Sequence, residues 1–128
     1  MGVREAINSY IIYKNPELKE IAEEKGVHGL VNWAGPIMTD SGTFQSHVYG
    51  EIEMKPEEIL EFQKKIGVDI GTVLDVFCEP ETRFEQAKDE LTETQKRIEL
   101  ADKNKGNIFQ IWNWSKITRW NRFFDTIN

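Results

Sequence analysis

At 128 residues, 39% hydrophobic and 30% charged, the chain has the size and composition of one soluble globular domain with a modest core. No apolar run approaches the roughly 18 residues of a membrane span, and Cys78 stands alone, which excludes a disulfide framework or a Cys-based zinc site within this chain and points to a reducing cytoplasm. Net charge is −6, but residues 1–102 hold 11 Lys/Arg against 21 Asp/Glu and residues 103–128 hold 5 against 1, so phosphate contacts, which need cations, have only the tail to draw on.

Ser9-Tyr10-Ile11-Ile12-Tyr13 is β-branched and aromatic and predicts a first strand. Asn15 followed by Pro16 predicts a capped helix start, with Leu18, Ile21 and Ala22 at helical spacing and Gly26 as its stop. Residues 27–33 read as a connector or short helix, and Pro36 to Thr39 as a second, buried strand. Residues 47–54 alternate apolar and polar about Gly50, the pattern of a small β-hairpin. Pro56 with Glu57 and Glu58 opens a helix whose inner face is Ile59, Leu60, Phe62, Gln63 and Ile66, and Gly67 ends it. Asp69 to Leu74 is a nearly continuous apolar run, as in a buried parallel strand. Thr82 and Glu85 have capping-box spacing before a long helix with Phe84, Ala87, Leu91, Thr94, Ile98 and Ala101 on one side. Its dense charges read as a solvated face. Asn104-Lys105-Gly106 closes that helix, and Asn107 to Trp112 predicts a fourth strand. The succession of strands and helices predicts an α/β fold with a parallel sheet and right-handed crossovers.

Two strand ends carry chemistry. Met38-Thr39-Asp40-Ser41-Gly42 places an acid and a hydroxyl where a strand becomes a turn, and Phe44 and Gln45 follow closely. Asp69-Ile70-Gly71-Thr72-Val73-Leu74-Asp75 delivers a second acid in the same way. Carboxyl ends of strands in α/β sheets are where ligands bind, and successive parallel strands end on one side. A carboxylate accepts two N–H donors side by side, as the edge of a purine presents them, and a Phe ring can stack on a flat ring. The alternatives are a capped turn for Asp40, a loop bond for Asp75 and core packing for Phe44. His47, His28 and Cys78 read as surface, structural and inert; Glu79 and Glu81 beside Cys78 argue against a stabilised thiolate.

The string from Thr39-Asp40-Ser41-Gly42-Thr43-Phe44-Gln45 through Ser46-His47-Val48-Tyr49-Gly50, together with Asp69 to Phe77, resembles the tRNA-guanine transglycosylases, and most of all their archaeal branch. The resemblance runs from about Asn8 to about Lys96 and covers only part of the family's chain. It implies an incomplete (β/α)8, TIM-type barrel of about four βα repeats over residues 1–111, with the small hairpin as an insertion. It implies that Asp40 sits beside the base, that Asp75 recognises it, that Phe44 stacks on it, and that Ser41 and Gln45 add hydroxyl and amide bonds. The family's Asp nucleophile comes from a later strand and its Cys/His zinc site from the far end of the barrel. The family's first strand and C-terminal RNA-binding domains also find no counterpart here. No cofactor is therefore expected in this chain. The partners implied are tRNA, a guanine-like base, a second chain that completes the barrel, and a homo-oligomer through open sheet edges.

Residues 112–128 depart from this pattern. They are basic and hold three of the four tryptophans: Trp112, Trp114 and Trp120. A disrupted reading frame, an amphipathic helix covering an open edge, and a basic-aromatic arm that stacks on RNA bases are the readings open for this tail. A different class of function, a small hydrolase using Asp40 and Asp75 as an acid/base pair, has no nucleophile or metal to support it.

Overall fold

A computed structural model describes residues 5–42, 55–76 and 79–112. Strand β1 (Glu5–Asn8) leads directly into helix α1 (Ser9–Lys14), followed by α2 (Pro16–Val31) and strand β2 (Ile37–Asp40). Helix α3 (Pro56–Lys65), strand β3 (Ile70–Thr72), helix α4 (Phe84–Asn104) and strand β4 (Gln110–Trp112) complete the order. The four strands form one parallel sheet in the sequence β1-β2-β3-β4, so spatial order equals chain order. The α/β class and the parallel sheet expected from the sequence are both present. Among the described residues, no helix is long and apolar enough to cross a membrane.

The first strand lies earlier than expected. Residues 5–8, not 9–13, pair with β2, in the register Glu5↔Ile37 to Asn8↔Asp40. Ser9 to Tyr13 is helical, because the Asn8 side chain accepts the Ile11 N–H at 3.1 Å and caps a helix there. A short apolar run does not distinguish strand from helix by composition, and here the cap decides. The capping box at Thr82 also fails. Helix α4 starts at Phe84 with Arg83 as N-cap and no side-chain cap bond. The Thr82 N–H closes a turn onto the Glu79 carbonyl instead, which leaves Thr82 one residue outside the cap position. Phe84, expected inside, is 77% exposed. The hairpin at residues 47–54 lies outside the described residues.

Other boundaries follow the local chemistry. Asn15 Oδ1 accepts the N–H groups of Glu17 and Leu18, with Pro16 at the first helical position. Within α2, Gly26 adopts φ 73°, ψ 168° and breaks the helix, so that the Val27 N–H turns to the Ile66 carbonyl at the end of α3, at 2.7 Å. A Cβ on Gly26 would sit 3.3 Å from that same carbonyl oxygen. The core joins Ala22, Val27, Ile37, Ile59, Phe62 and Ile66, all nearly or fully buried. Tyr13 meets Phe62 edge-on at 5.2 Å between ring centres. At the amino ends of the strands, Asp69 accepts the Ile37 N–H at 2.9 Å and pairs with His28 Nε2 at 3.0 Å, while His28 Nδ1 contacts the Trp33 carbonyl. His28 is thus structural, as the sequence suggested.

Gln63 is the one inner-face residue of α3 with a polar task. It is fully buried. Its carboxamide oxygen accepts the Thr39 hydroxyl at 2.7 Å and the Thr72 N–H at 3.2 Å, and its nitrogen donates to the Thr72 carbonyl at 3.0 Å. One side chain therefore serves both backbone groups of Thr72 and ties β2 to β3. Replacing Gln63 by Leu keeps the volume but strands three polar groups, the buried Thr39 hydroxyl and the two partly buried backbone groups of Thr72, at roughly 1–3 kcal/mol for each one left unpaired. Gln63→Leu is expected to lower the unfolding free energy in urea by about 3 kcal/mol or more. A loss below about 1 kcal/mol would show that water replaces the amide without penalty.

Candidate functional site

Along β2 the residues alternate. Ile37 and Thr39 are buried, Met38 is half-buried and Asp40 is exposed. Thr39 reaches Gln63 of α3, so its face is the helix-covered one, and Asp40 and Met38 stand on the opposite face. Asp40 closes the strand and does not follow it, one residue later than expected. Its carboxylate Oδ1 accepts the Gly42 N–H at 2.9 Å, and its carbonyl accepts the Ser9 hydroxyl at the start of α1. The turn and the site are thus one object: Asp40 caps its own turn while standing at the carboxyl end of the sheet.

Gly42 makes this turn possible. Its φ is +85°, and a Cβ there would fall 2.1 Å from Tyr10 Cβ. Ser41 is 2% exposed. Its N–H donates to Thr72 Oγ1 at 2.6 Å and its hydroxyl to the Val73 carbonyl at 3.0 Å. The Ser41 hydroxyl therefore joins the segment after β2 to the segment after β3. These two bonds bring the Asp40 turn and the Asp75 loop to the same end of adjacent strands. Asp75 lies three residues past the end of β3 and is half-buried. Phe44 and Gln45, the remaining expected site residues, lie outside the described residues, as do His47, Cys78 and residues 113–128.

Sequence reasoning passed over two side chains of α4 next to Asp75. Thr94 Oγ1 accepts the Val76 N–H at 2.9 Å, and Arg97 Nη1 donates to the Leu74 carbonyl at 2.9 Å. The spacing of Thr94 puts it on the inner face and carries no hint of this bond. Arg97 stands in the sequence among the helix charges that read as a solvated face. A cavity of about 270 Å³ also opens between α3 and α4, lined by Ile59, Leu60, Val73, Leu74, Leu100 and Arg97 among others. It sits behind the sheet on the helix side, and neither Asp40 nor Asp75 lines it. Asp40, exposed on the other face, and Asp75, half-buried beyond the end of β3, are the better candidates for chemistry. Among the described residues no three His, Cys, Asp or Glu side chains converge as metal ligands.

The parallel sheet backed by helices in βα succession makes this an α/β protein, a class whose ligands bind at the carboxyl ends of the strands, where Asp40 and Asp75 stand. Residues 5–115 match the queuine tRNA-ribosyltransferase family, and the chain belongs to it. It is similar to proteins named tRNA-guanine(15) transglycosylase. The Methanococcus aeolicus protein is 60% identical over 96 residues, 75% of this chain and 15% of that protein. The Picrophilus torridus protein is 54% identical over 102 residues, 79% and 16% of the two chains. The Methanocaldococcus jannaschii protein is 56% identical over 94 residues, 73% and 14%. The chain thus spans 14–16% of the length of these three relatives. The resemblance read from residues 39–50 and 69–77 holds, and its limits widen from about Asn8–Lys96 to residues 5–115.

Gly42→Ala forces an L-residue into left-handed backbone and into contact with Tyr10. The expected loss is roughly 2 kcal/mol or more of unfolding free energy, read by thermal denaturation. An unchanged melting temperature would mean that the turn has another conformation.

Proposed function

We propose that this chain carries the base-recognition part of a tRNA-guanine transglycosylase barrel. In this reading Asp40 and Asp75 face the N–H edge of a guanine-like base, Phe44 stacks on it, and Gln45 adds an amide bond. The observation that carries the proposal is the double tie of Ser41 to Thr72 and Val73, which holds two acid-bearing strand ends side by side. Ser41 itself acts through this tie, since its hydroxyl is already committed. Two acceptor groups on one side of a pocket match a base edge rich in donors. The reaction of the completed enzyme is exchange of a guanine in the tRNA dihydrouridine arm for 7-cyano-7-deazaguanine. The covalent step needs a nucleophile that attacks the ribose anomeric carbon, and none of the described residues is assigned to it. Zinc ligation is likewise assigned to none of them. The nucleophile, the zinc ligands and most of the tRNA contacts belong to the remainder of a barrel, in this or a second polypeptide, and the assembled protein works in the cytoplasm.

A second reading is an assembly module that oligomerises through sheet edges. The observation in its favour is that β1 and β4, among the described residues, each pair on one side only. Light scattering on the eluting protein separates the two: a monomer at high concentration removes the second reading.

Titration with guanine and with 7-cyano-7-deazaguanine tests the first. Asp75→Asn turns one acceptor oxygen into a donor facing the donors of the base, and is expected to weaken binding by about tenfold or more. Equal affinity of the two proteins would remove Asp75 from the site. The 128-residue chain by itself is expected to give no incorporation of labelled guanine into tRNA. Robust incorporation by the pure chain would contradict the assignment of the nucleophile elsewhere.

A further inference from the structure

We infer that Thr94 and Arg97 are positioning residues for Asp75, a role that rests on the base-recognition reading above. The peptide plane between Leu74 and Asp75 contains the Leu74 carbonyl, which Arg97 Nη1 holds at 2.9 Å. The plane between Asp75 and Val76 contains the Val76 N–H, which Thr94 Oγ1 accepts at 2.9 Å. Peptide units are rigid, so φ and ψ of Asp75 are the only soft angles relating those two planes. Holding one group of each plane restrains both angles, and with them the direction in which the Asp75 Cα–Cβ bond leaves the backbone.

The clamp is itself braced. Thr94 is 4% exposed. The Arg97 guanidinium is oriented by Glu93, whose Oε1 accepts from Nε at 3.2 Å. Thr94 and Arg97 are three residues apart, so one helix face presents both. Upstream, the Thr72 carbonyl is taken by Gln63 and the Val73 carbonyl by Ser41, which removes slack on the strand side. By contrast Lys88, Asp89, Lys96 and Glu99 of the same helix are exposed. Among the described residues, Arg97 is the cation of this helix that reaches the loop backbone, and with Thr94 it brackets the acid expected to read the base.

A purely structural bond would dock α4 on the sheet without regard to Asp75. A double-mutant cycle on guanine affinity separates the two roles in the full chain. Thr94→Val removes the acceptor at nearly constant shape. It is expected to weaken guanine binding about tenfold with Asp75 present, and to change it by less than about twofold in the Asp75→Asn background. Thr94→Ser should bind as wild type does, and Arg97→Met should repeat the pattern of Thr94→Val. Amide exchange at Val76 should quicken about tenfold in Thr94→Val, while Ile59 and Phe62 in α3 keep their rates. Equal losses in both backgrounds, or no loss where Asp75→Asn loses binding, overturns the positioning role. If the wild-type chain binds no guanine, the base-pocket reading fails by itself. The exchange measurement then decides the clamp, and an unchanged Val76 rate overturns it.

Discussion

Everything at the carboxyl end of this sheet depends on how the chain leaves β3. Ladder pairing between β2 and β3 runs from Met38↔Ile70 to Thr39↔Gly71. From Thr72 onward, side chains take over the backbone groups. Gln63 serves Thr72, Ser41 serves Val73, Arg97 serves Leu74 and Thr94 serves Val76. A buried backbone group left unpaired costs roughly 1–3 kcal/mol, so a segment with this many polar groups near a core can persist only where each finds a partner. The partners come from α3, the β2 turn and α4. The loop bearing Asp75 is thereby fastened to three separate elements.

This arrangement divides labour between the two faces of the sheet. The helix-covered face carries stability, with Ile37, Thr39, Gly71 and Ile111 packed beneath α3 and α4. A Cβ on Gly71 would come within 3.1 Å of the Gln63 oxygen, so close packing on this face also reaches the strand backbone. The opposite face carries Met38 and Asp40. The same alternation that buries Thr39 against Gln63 turns Asp40 out, and a one-residue slip of β2 would exchange the two. The buried Thr39–Gln63 bond, together with the burial of Ile37 and the ladders on both sides of β2, thus keeps the acid on the opposite face.

The sequence was most legible where a single residue type has a single backbone use. Asn15 before Pro16, Pro56 before two acids, Gly26 and Gly67 each mark their boundary, whereas the strand-end positions of the acids at residues 40 and 75 suit a capped turn as well as a site, and the longer family-like strings are what single them out. Legibility failed where one segment suits two states or where a bond spans the fold. Ser9 to Tyr13 suits strand and helix equally, and only the Asn8 cap and the pairing of residues 5–8 decide between them. Thr82 has the spacing of a capping box, but the turn onto Glu79 moves it out of position. Gln63, Thr94 and Arg97 carry no local signature, because their partners lie 9, 18 and 23 residues away in the chain. Periodicity says which face a residue occupies and is silent on whether an amide there meets a backbone group.

The strict β1-β2-β3-β4 order has a bearing on synthesis. Each strand pairs with the strand completed just before it, across a single crossover, and no described pairing waits for a distant part of the chain. Loop-closure entropy is met in small instalments, the condition under which parallel sheets, otherwise slow to form, assemble with modest contact order. As the polypeptide emerges from the ribosome, β2 already has β1 to dock on and β3 has β2. The growing edge stays competent to receive whatever strand is made next.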